Sequence, residues 1–447
     1  VSPGQGSIAV IRISGPSAIE VSKNIVHIPG MHDWSSHKVL YGHVTEANSK
    51  NYIDEVLILI MKGPRSFTGE DVVEIHCHGG IISVQKILER ILDSPNTRRA
   101  APGEFSQRAV LNDRLSLTQA ESISELISAR SRKAAELAMS GIEGNIQTAI
   151  KSIRHRLLEQ LTEIEARIDF EEDLPNLEEE NVKNEITMIR KDISKLIDNA
   201  KKGSWVRSGM KIALTGKPNV GKSSLMNRLS KKEKAIVTEL PGTTRDLLES
   251  EIILEGIPVT LIDTAGIRAT ENIIEQIGIS RTQKALNDAD LILLIYDYSK
   301  GWTKEDASIL KEMPPSIPLL VIGNKSDLSE NNCLEKDTSN LLEKQDLIIM
   351  SAKTGKGEND LINSLLTLCN SSQIHGLDFA LNERQLDLAK SAMKSLENID
   401  NIFDEKLPWD FWTIDLRQSI NYLGELTGDD LTENLLDNIF SKFCIGK

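Results

Sequence analysis

Cysteine is scarce in this 447-residue chain: Cys77, Cys333, Cys369 and Cys444 stand far apart, with no C-x-x-C spacing. That pattern excludes a zinc ribbon and a disulfide framework, and reduced, cytosolic thiols are the expected state. Long apolar runs are missing as well. With 40% hydrophobic and 26% charged residues, no stretch approaches the roughly 20 apolar residues that a membrane span needs. Nor is there an excess of positive charge. The 52 Lys and Arg against 66 Asp and Glu leave a net −14, which excludes a surface coated in phosphate-binding lysines. A nucleic-acid partner would have to dock on local basic patches or on another subunit. No targeting segment is visible, and the chain opens on Val1 rather than Met, so a further segment upstream is expected. The length suits two to four domains.

What is present is concentrated in one run. Gly216-Lys217-Pro218-Asn219-Val220-Gly221-Lys222-Ser223 fits G-x-x-x-x-G-K-[ST], the phosphate-loop pattern. It follows the apolar, strand-like Lys211 to Thr215 and precedes a helical start at Ser224, which is the context the motif requires. The glycines let the backbone curl so that N–H groups point at phosphate oxygens beside a helix N-terminus. Lys222 then reaches the β- and γ-phosphates and the Ser223 hydroxyl serves Mg²⁺. Three further segments follow in order. Asp263-Thr264-Ala265-Gly266 supplies a carboxylate for the metal side and a backbone N–H for the γ-phosphate. Asn324-Lys325-Ser326-Asp327 ends an apolar strand and offers a carboxylate to the two N–H groups of the guanine edge, which adenine lacks. Ser351-Ala352-Lys353 backs the base. The site is for GTP and GDP, not for nucleotides in general.

Residues 1–112 are α+β, with strands predicted over Ser7 to Ile13, Glu55 to Met61 and Val72 to His76, a helix from Ile81 to Leu92, and a loop at Ala101 to Phe105. Residues 113–203 are helical: Ile146, Ile150, Ile153, Leu157, Leu161, Ile164 and Ile168 recur at threes and fours, as do Val182, Ile186, Ile189, Ile193 and Leu196. Residues 204–370 alternate strands and helices in the manner of a doubly wound sheet, and 371–447 return to helix. The economical arrangement is a nucleotide domain inserted into a helical domain. His76-Cys77-His78 is not read as a metal site, because alternate strand residues share a face and two ligands are too few.

The switch region lacks one familiar part. The place after Asp263 to Gly266 that holds a water-orienting Gln in Ras-like enzymes holds Ile267. Spacing alone leaves Glu275 with two readings, a catalytic carboxylate or an ordinary acidic helix start. The preceding loop, Thr238 to Asp246, offers oxygens for Mg²⁺ and for a monovalent cation.

The whole chain resembles the MnmE (TrmE) family of tRNA-modification GTPases. The resemblance is carried by Pro3-Gly4-Gln5-Gly6 through Arg12-Ile13-Ser14-Gly15, Phe67-Thr68-Gly69-Glu70-Asp71, His78-Gly79-Gly80 and Ala101-Pro102-Gly103-Glu104-Phe105. It continues through Leu111-Asn112-Asp113, the phosphate loop, Gly242-Thr243-Thr244-Arg245-Asp246, Asp263 to Gly266 and the terminal Phe443-Cys444-Ile445-Gly446-Lys447. It implies an N-terminal folate-binding, dimerising domain (1–112), a helical domain in two halves (113–203 and 371–447), and an inserted Ras-like GTPase domain (204–370).

The resemblance also implies roles. GTP is held by Asn219, Val220, Gly221, Lys222, Ser223 and Ser224, by Thr238, Glu239, Leu240, Pro241, Gly242, Thr243 and Thr244, and by the Asp263, Asn324 and Ser351 segments quoted above. Ser223 and Thr244 hold Mg²⁺, while Asn219, Thr238, Leu240 and Thr243 hold an activating K⁺. Glu275 becomes the catalytic glutamate and Cys444 a thiol in the active cavity. Arg12, Glu74, Arg114 and Lys447 contact a tetrahydrofolate, the 5,10-methylene or 5-formyl form; Arg114 stands where Lys is usual. The implied partners are a second copy of the chain, the FAD-containing protein MnmG and tRNA, in a bacterial cytoplasm, with an organellar copy as the alternative, and with no membrane. Together they install an aminomethyl-type group at carbon 5 of a wobble uridine. A GTP-switched ribosome or RNA assembly factor, and a folate-dependent one-carbon transferase regulated by GTP, are the competing readings.

Overall fold

A computed structural model of the chain describes residues 6–30, 32–47, 49, 51–170, 173, 175, 177–232, 249–264, 284–328, 346–368, 376–404, 408–429, 433–441 and 443. It divides into two compact units. One comprises Val1–Ser124, Gly141–Glu178 and Lys394–Lys447; the other comprises Glu125–Ser140 and Glu179–Met393. Among the described residues no helix is long and apolar enough to cross a membrane.

The first unit is built on a five-stranded sheet ordered β1-β5-β4-β3-β2, with β1 Ile8–Ser14, β2 Val26–His27, β3 Lys38–Thr45, β4 Tyr52–Met61 and β5 Val72–His78. All its ladders are antiparallel. Strand alternation sends Ile58, Ile60, Val73, Ile75 and Cys77 inward, where they meet Val21 and Ile25 of α1 (Ala18–Ile25) and Ile87 and Ile91 of α2 (Ile81–Leu92). The other face stays open: Arg12 lies opposite Glu74, Val10 opposite His76, and His76 opposite Leu57. The segment expected to be a loop up to Phe105 is helical from Glu104, where α3 (Glu104–Leu111) begins. The Glu104 carboxylate accepts from the Ala101 N–H and from Arg98 and Arg108, which anchors the helix start. Helix α4 follows over Leu117–Ser128, its last residues from Glu125 on and α5 (Arg132–Ile142) up to Ser140 belonging to the second unit.

Helix α6 (Asn145–Asp169) buries the Ile146 to Ile164 series read from the sequence, and it packs along α12 (Asp410–Thr427). Arg154 with Asp429 and Arg417 with Glu165 tie the same region together. Helix α13 (Glu433–Phe440) closes on α3, with Leu436 and Phe440 in one cluster with Leu117 and Ala120.

The second unit carries the doubly wound sheet, in the order β11-β10-β9-β6-β8-β7. Its strands are β6 Met210–Thr215, β7 Glu249–Leu254, β8 Ile257–Asp263, β9 Leu291–Asp297, β10 Leu319–Asn324 and β11 Asp346–Ile349. All pairings are parallel except β7 with β8. Every residue of β9 is buried, the mark of a strand covered on both faces. Helices α7 (Glu179–Ser208), α8 (Lys222–Lys232), α9 (Lys304–Lys311) and α10 (Glu358–Leu368) belong to this unit. Helix α11 (Glu383–Asp404) passes from it into the first. Helix α7 runs unbroken to Ser208, beyond the expected 203/204 boundary, so the strand of the nucleotide domain starts at Met210.

Candidate functional site: a guanine-nucleotide loop and an Arg–Glu pair

Strand β6 ends at Thr215 and delivers the phosphate loop. Gly216 has φ +136°, and a Cβ there would sit 2.1 Å from the Ile295 carbonyl oxygen of β9. Gly221 has φ +100°, and its Cβ would meet the Asn324 amide nitrogen at 2.2 Å. Neither position tolerates a side chain, which is the physical content of the two motif glycines. Val220 is buried in the core and the loop runs into α8 with Ser223 and Ser224 exposed on its first turn. The Lys222 ammonium, 5% exposed, donates to the carbonyls of Gly216 at 2.8 Å and Lys217 at 2.6 Å.

Asp263 closes β8 and accepts from the Ser223 hydroxyl at 3.0 Å. A hydroxyl and a carboxylate converging at the mouth of a phosphate loop form the oxygen set that Mg²⁺ favours. Thr264 is placed differently: its hydroxyl and N–H both turn back to the Leu214 carbonyl, so it clamps β8 to β6. Asn219 is exposed in the phosphate loop with φ +61°. Thr238 to Thr244, Ala265, Gly266, Ile267 and Glu275 lie outside the described residues.

On the base side, Asn324 is 2% exposed and locks two segments together. It donates to the Val220 carbonyl at 2.8 Å and accepts the Ala352 N–H at 2.9 Å. Lys325, at φ +66°, is held by Asp297 through a 2.8 Å ion pair. Burial alone would raise the Asp297 pKa, but the hydrogen bonds from Lys325 and Ser299 outweigh it and hold it low. Asp327 accepts from the Ser351 hydroxyl at 2.6 Å, and that bond lowers its pKa, which leaves an anionic acceptor able to meet N–H groups. Lys353 is exposed beside the buried Ser351 and Ala352. Sequence reading missed the supports behind these groups. Arg228 of α8 binds Glu358 at 2.6 Å, and Lys217 reaches Asp306 at 2.9 Å. No local pattern announces such long-range pairs.

The first unit holds the other expected constellation. The Arg12 guanidinium donates twice to Glu74 Oε1, at 2.9 and 2.6 Å, and lies over the rings of Phe67 and Phe105 at 5.3 and 5.6 Å. The second Glu74 oxygen lies 3.4 Å from His76 Nε2. Arg114 donates to the Ser66 carbonyl at 3.3 Å, on the same loop as Phe67. Beneath runs a chain that the sequence did not reveal: Ser14 to Glu70, Glu70 to Arg108, Arg108 to Glu104, and Glu104 to Arg98. The Arg98 hydrogen bond leads the forces that drive the Glu104 pKa down to about 2. Cys77 is buried and donates to the Ala9 carbonyl, and burial pushes its thiol up to about 11. His78 binds Asp54 at 2.7 Å, so His76 and His78 each face a carboxylate. Cys444 and Lys447 lie outside the described residues, but Phe443 beside them is placed. A Cβ on Gly103 would meet Phe440 O at 2.5 Å and Phe443 Cβ at 3.0 Å.

The chain is similar to known proteins along its whole length. The family model described as the MnmE helical domain matches residues 117–444, and that described as the GTP-binding protein TrmE N-terminus matches residues 1–114. The tRNA modification GTPase MnmE of Prochlorococcus marinus (strain NATL2A) is 79% identical over 447 residues, covering 100% of this chain and 96% of the relative. That of Synechococcus sp. (strain CC9605) is 54% identical, covering 100% of this chain and 97% of the relative. Among solved structures, the FeoB G-domain from Methanococcus jannaschii shares 27% identity with a TM-score of 0.27, covering 36% of this chain and 97% of that one.

Proposed function

This chain belongs to the MnmE family and is a tRNA modification GTPase; we propose that it is activated by K⁺ and acts with an FAD-containing, MnmG-like partner at the wobble uridine of tRNA. In this reading the pair installs an aminomethyl-type group, carboxymethylaminomethyl among them, at carbon 5, with a methylene-tetrahydrofolate supplying the carbon. The setting is a bacterial cytoplasm. The observation that carries the reading is the coexistence in one chain of a guanine-reading GTP loop and an Arg12–Glu74 pair on an open sheet face.

The residues divide the work. Lys222 and the loop amides meet the phosphates, Asp327 accepts the guanine N–H groups, and Ser223 with Asp263 hold Mg²⁺, joined by Thr244. The bound cations supply positive charge where the transition state gathers negative charge. Asn219, with Thr238, Leu240 and Thr243, takes K⁺ in place of an arginine finger. Glu275 orients the attacking water, a role that Ile267 cannot fill. At the folate, the Glu74 carboxylate grips the amino and N–H edge of the pterin, and the cations Arg12, Arg114 and Lys447 hold its acidic tail. Cys444, from the C-terminal segment that resembles the family, would supply the thiol of that cavity.

A homodimer is part of this proposal. Ile8, Val10, Tyr41 and Leu57 on the open face of the first sheet are 70, 48, 50 and 48% exposed, an apolar patch suited to a second copy.

The test is complementation. A strain lacking the corresponding gene should accumulate tRNA with hypomodified wobble uridine, and this chain should restore the modification. Normal wobble uridine alongside a ribosome-assembly defect would favour the RNA-assembly reading instead.

A further inference from the structure

The phosphate loop follows a costly backbone path. Gly216, Asn219 and Gly221 all have positive φ, and Asn219 does so while carrying a side chain. Such conformations persist only where the surroundings over-determine them. Two of the surrounding supports press on backbone: the Ile295 carbonyl under Gly216 and the Asn324 amide under Gly221. They fix the two ends of the loop from the strand side.

A third support is a charge. Lys217, the residue after the first motif glycine, sends its ammonium out to α9, 2.9 Å from Asp306 Oδ2 and 2.7 Å from Thr303 Oγ1. Asp306 is 1% exposed, and the same oxygen accepts the Thr303 N–H, closing the capping box that starts α9. Its other oxygen, Oδ1, is buried without a hydrogen-bond partner among the described residues. Little water reaches this carboxylate, so removing the cation would leave a buried charge unpaired. Lys217 also faces the other way. Its carbonyl accepts from the Lys222 ammonium at 2.6 Å. One residue therefore joins a helix cap to the lysine that meets the phosphates.

We propose that Lys217 is a positioning residue for nucleotide binding, its ion pair with Asp306 clamping the outer wall of the phosphate loop to α9. The clamp holds the loop amides and Lys222 in their binding arrangement before GTP arrives. It acts on ground state and transition state alike, so its loss appears in binding and not in turnover.

The experiment is stopped-flow release of a fluorescent GDP analogue, with steady-state GTP hydrolysis, on the full-length chain. Lys217→Met should speed GDP release about tenfold and raise the KM for GTP similarly, with kcat within about twofold of wild type, the scale of one lost charged hydrogen bond. Lys217→Arg, which keeps the charge, should recover most of the loss. Asp306→Asn should match Lys217→Met, and the double variant should be no worse than either single change. If Asp306→Asn fails to fold, the contrast between Lys217→Met and Lys217→Arg decides alone. Wild-type GDP release from a folded Lys217→Met variant would overturn the proposal. So would a lowered Tm with unchanged release, which would leave Lys217 a structural tie only.

Discussion

Arg12 and Glu74 face each other across the β1–β5 ladder, and the guanidinium spends two donors on one carboxylate oxygen, at 2.9 and 2.6 Å. The arrangement leaves Glu74 Oε2 on the side of His76, while Phe67 and Phe105 hold the guanidinium in place. The Oε2 oxygen keeps capacity to accept an N–H from a flat heterocycle, the role proposed for Glu74. Glu74→Gln, which keeps the shape and removes the charge, should weaken binding of a reduced folate about tenfold or more, the scale of a charged hydrogen bond. Calorimetry reads this directly, and an unchanged Kd would reduce the pair to a strand tie.

The strand, phosphate loop and helix were legible in sequence because their geometry is local. A phosphate loop needs glycines at fixed spacing, since Ile295 and Asn324 leave no room for a Cβ. The guanine-reading segment likewise sits directly at the end of a strand. The open sheet of the first unit was harder. Strand β3 is hard to read because its inward series is Leu40, Gly42 and Val44, where a Cβ on Gly42 would sit 2.7 Å from the His27 carbonyl, while outward Val39 and Tyr41 are themselves largely apolar. Without contrast between faces there is no alternation to read. The Lys217 to Thr303 contact links residues 86 apart, and nothing short of the fold could reveal it.

Glu104 gives the first unit a defined acid sensitivity. Its carboxyl falls from the ordinary value of 4.5 to about 2, chiefly through the Arg98 hydrogen bond, so the folded state binds its proton less readily than the unfolded chain. The stabilisation is therefore complete above about pH 4.5 and is lost as the pH falls toward about 2. Denaturant melts at neutral pH should show Glu104→Gln destabilised by about 3 kcal/mol. The gap to wild type should narrow through that acid window. A gap that stays constant there would assign the loss to packing instead of charge.

The cation proposal separates catalysis from binding. In the proposed site, phosphates, Mg²⁺ and base would be held by Lys222, Ser223, Asp263 and Asp327, none of which is assigned to K⁺. Replacing K⁺ by Na⁺ should then depress GTP hydrolysis strongly while nucleotide affinity survives, and Asn219→Ala should reproduce that loss in K⁺ buffer. Equal hydrolysis in the two salts would remove K⁺ from the mechanism and Asn219 from its ligands.

Glu275 is tested by the same division. A group that positions water contributes in the transition state, so Glu275→Ala should lower kcat by orders of magnitude with GTP affinity nearly unchanged. A variant that turns over at the wild-type rate would make Glu275 an ordinary acidic residue at a helix start.

The closing residues of the chain offer the sharpest test of the folate cavity. Phe440 and Phe443 pack on Gly103, two residues before the Phe105 ring that lies against Arg12, and Gln107 binds Asp437 at 2.8 Å. The segment up to Phe443 thus folds back onto the start of α3, whose Phe105 ring lies against Arg12, and Cys444 to Lys447 follow it in the sequence. Removing those four residues should weaken reduced-folate binding and abolish wobble-uridine modification. Basal GTP hydrolysis should stay near wild type, because no nucleotide motif lies beyond Lys353. Calorimetry on the truncated and full-length chains, paired with a GTPase assay, gives both readings from one preparation. Unchanged folate affinity would make Lys447 a free tail and dissolve the shared cavity. Lost hydrolysis would instead mean that the segment serves the nucleotide site.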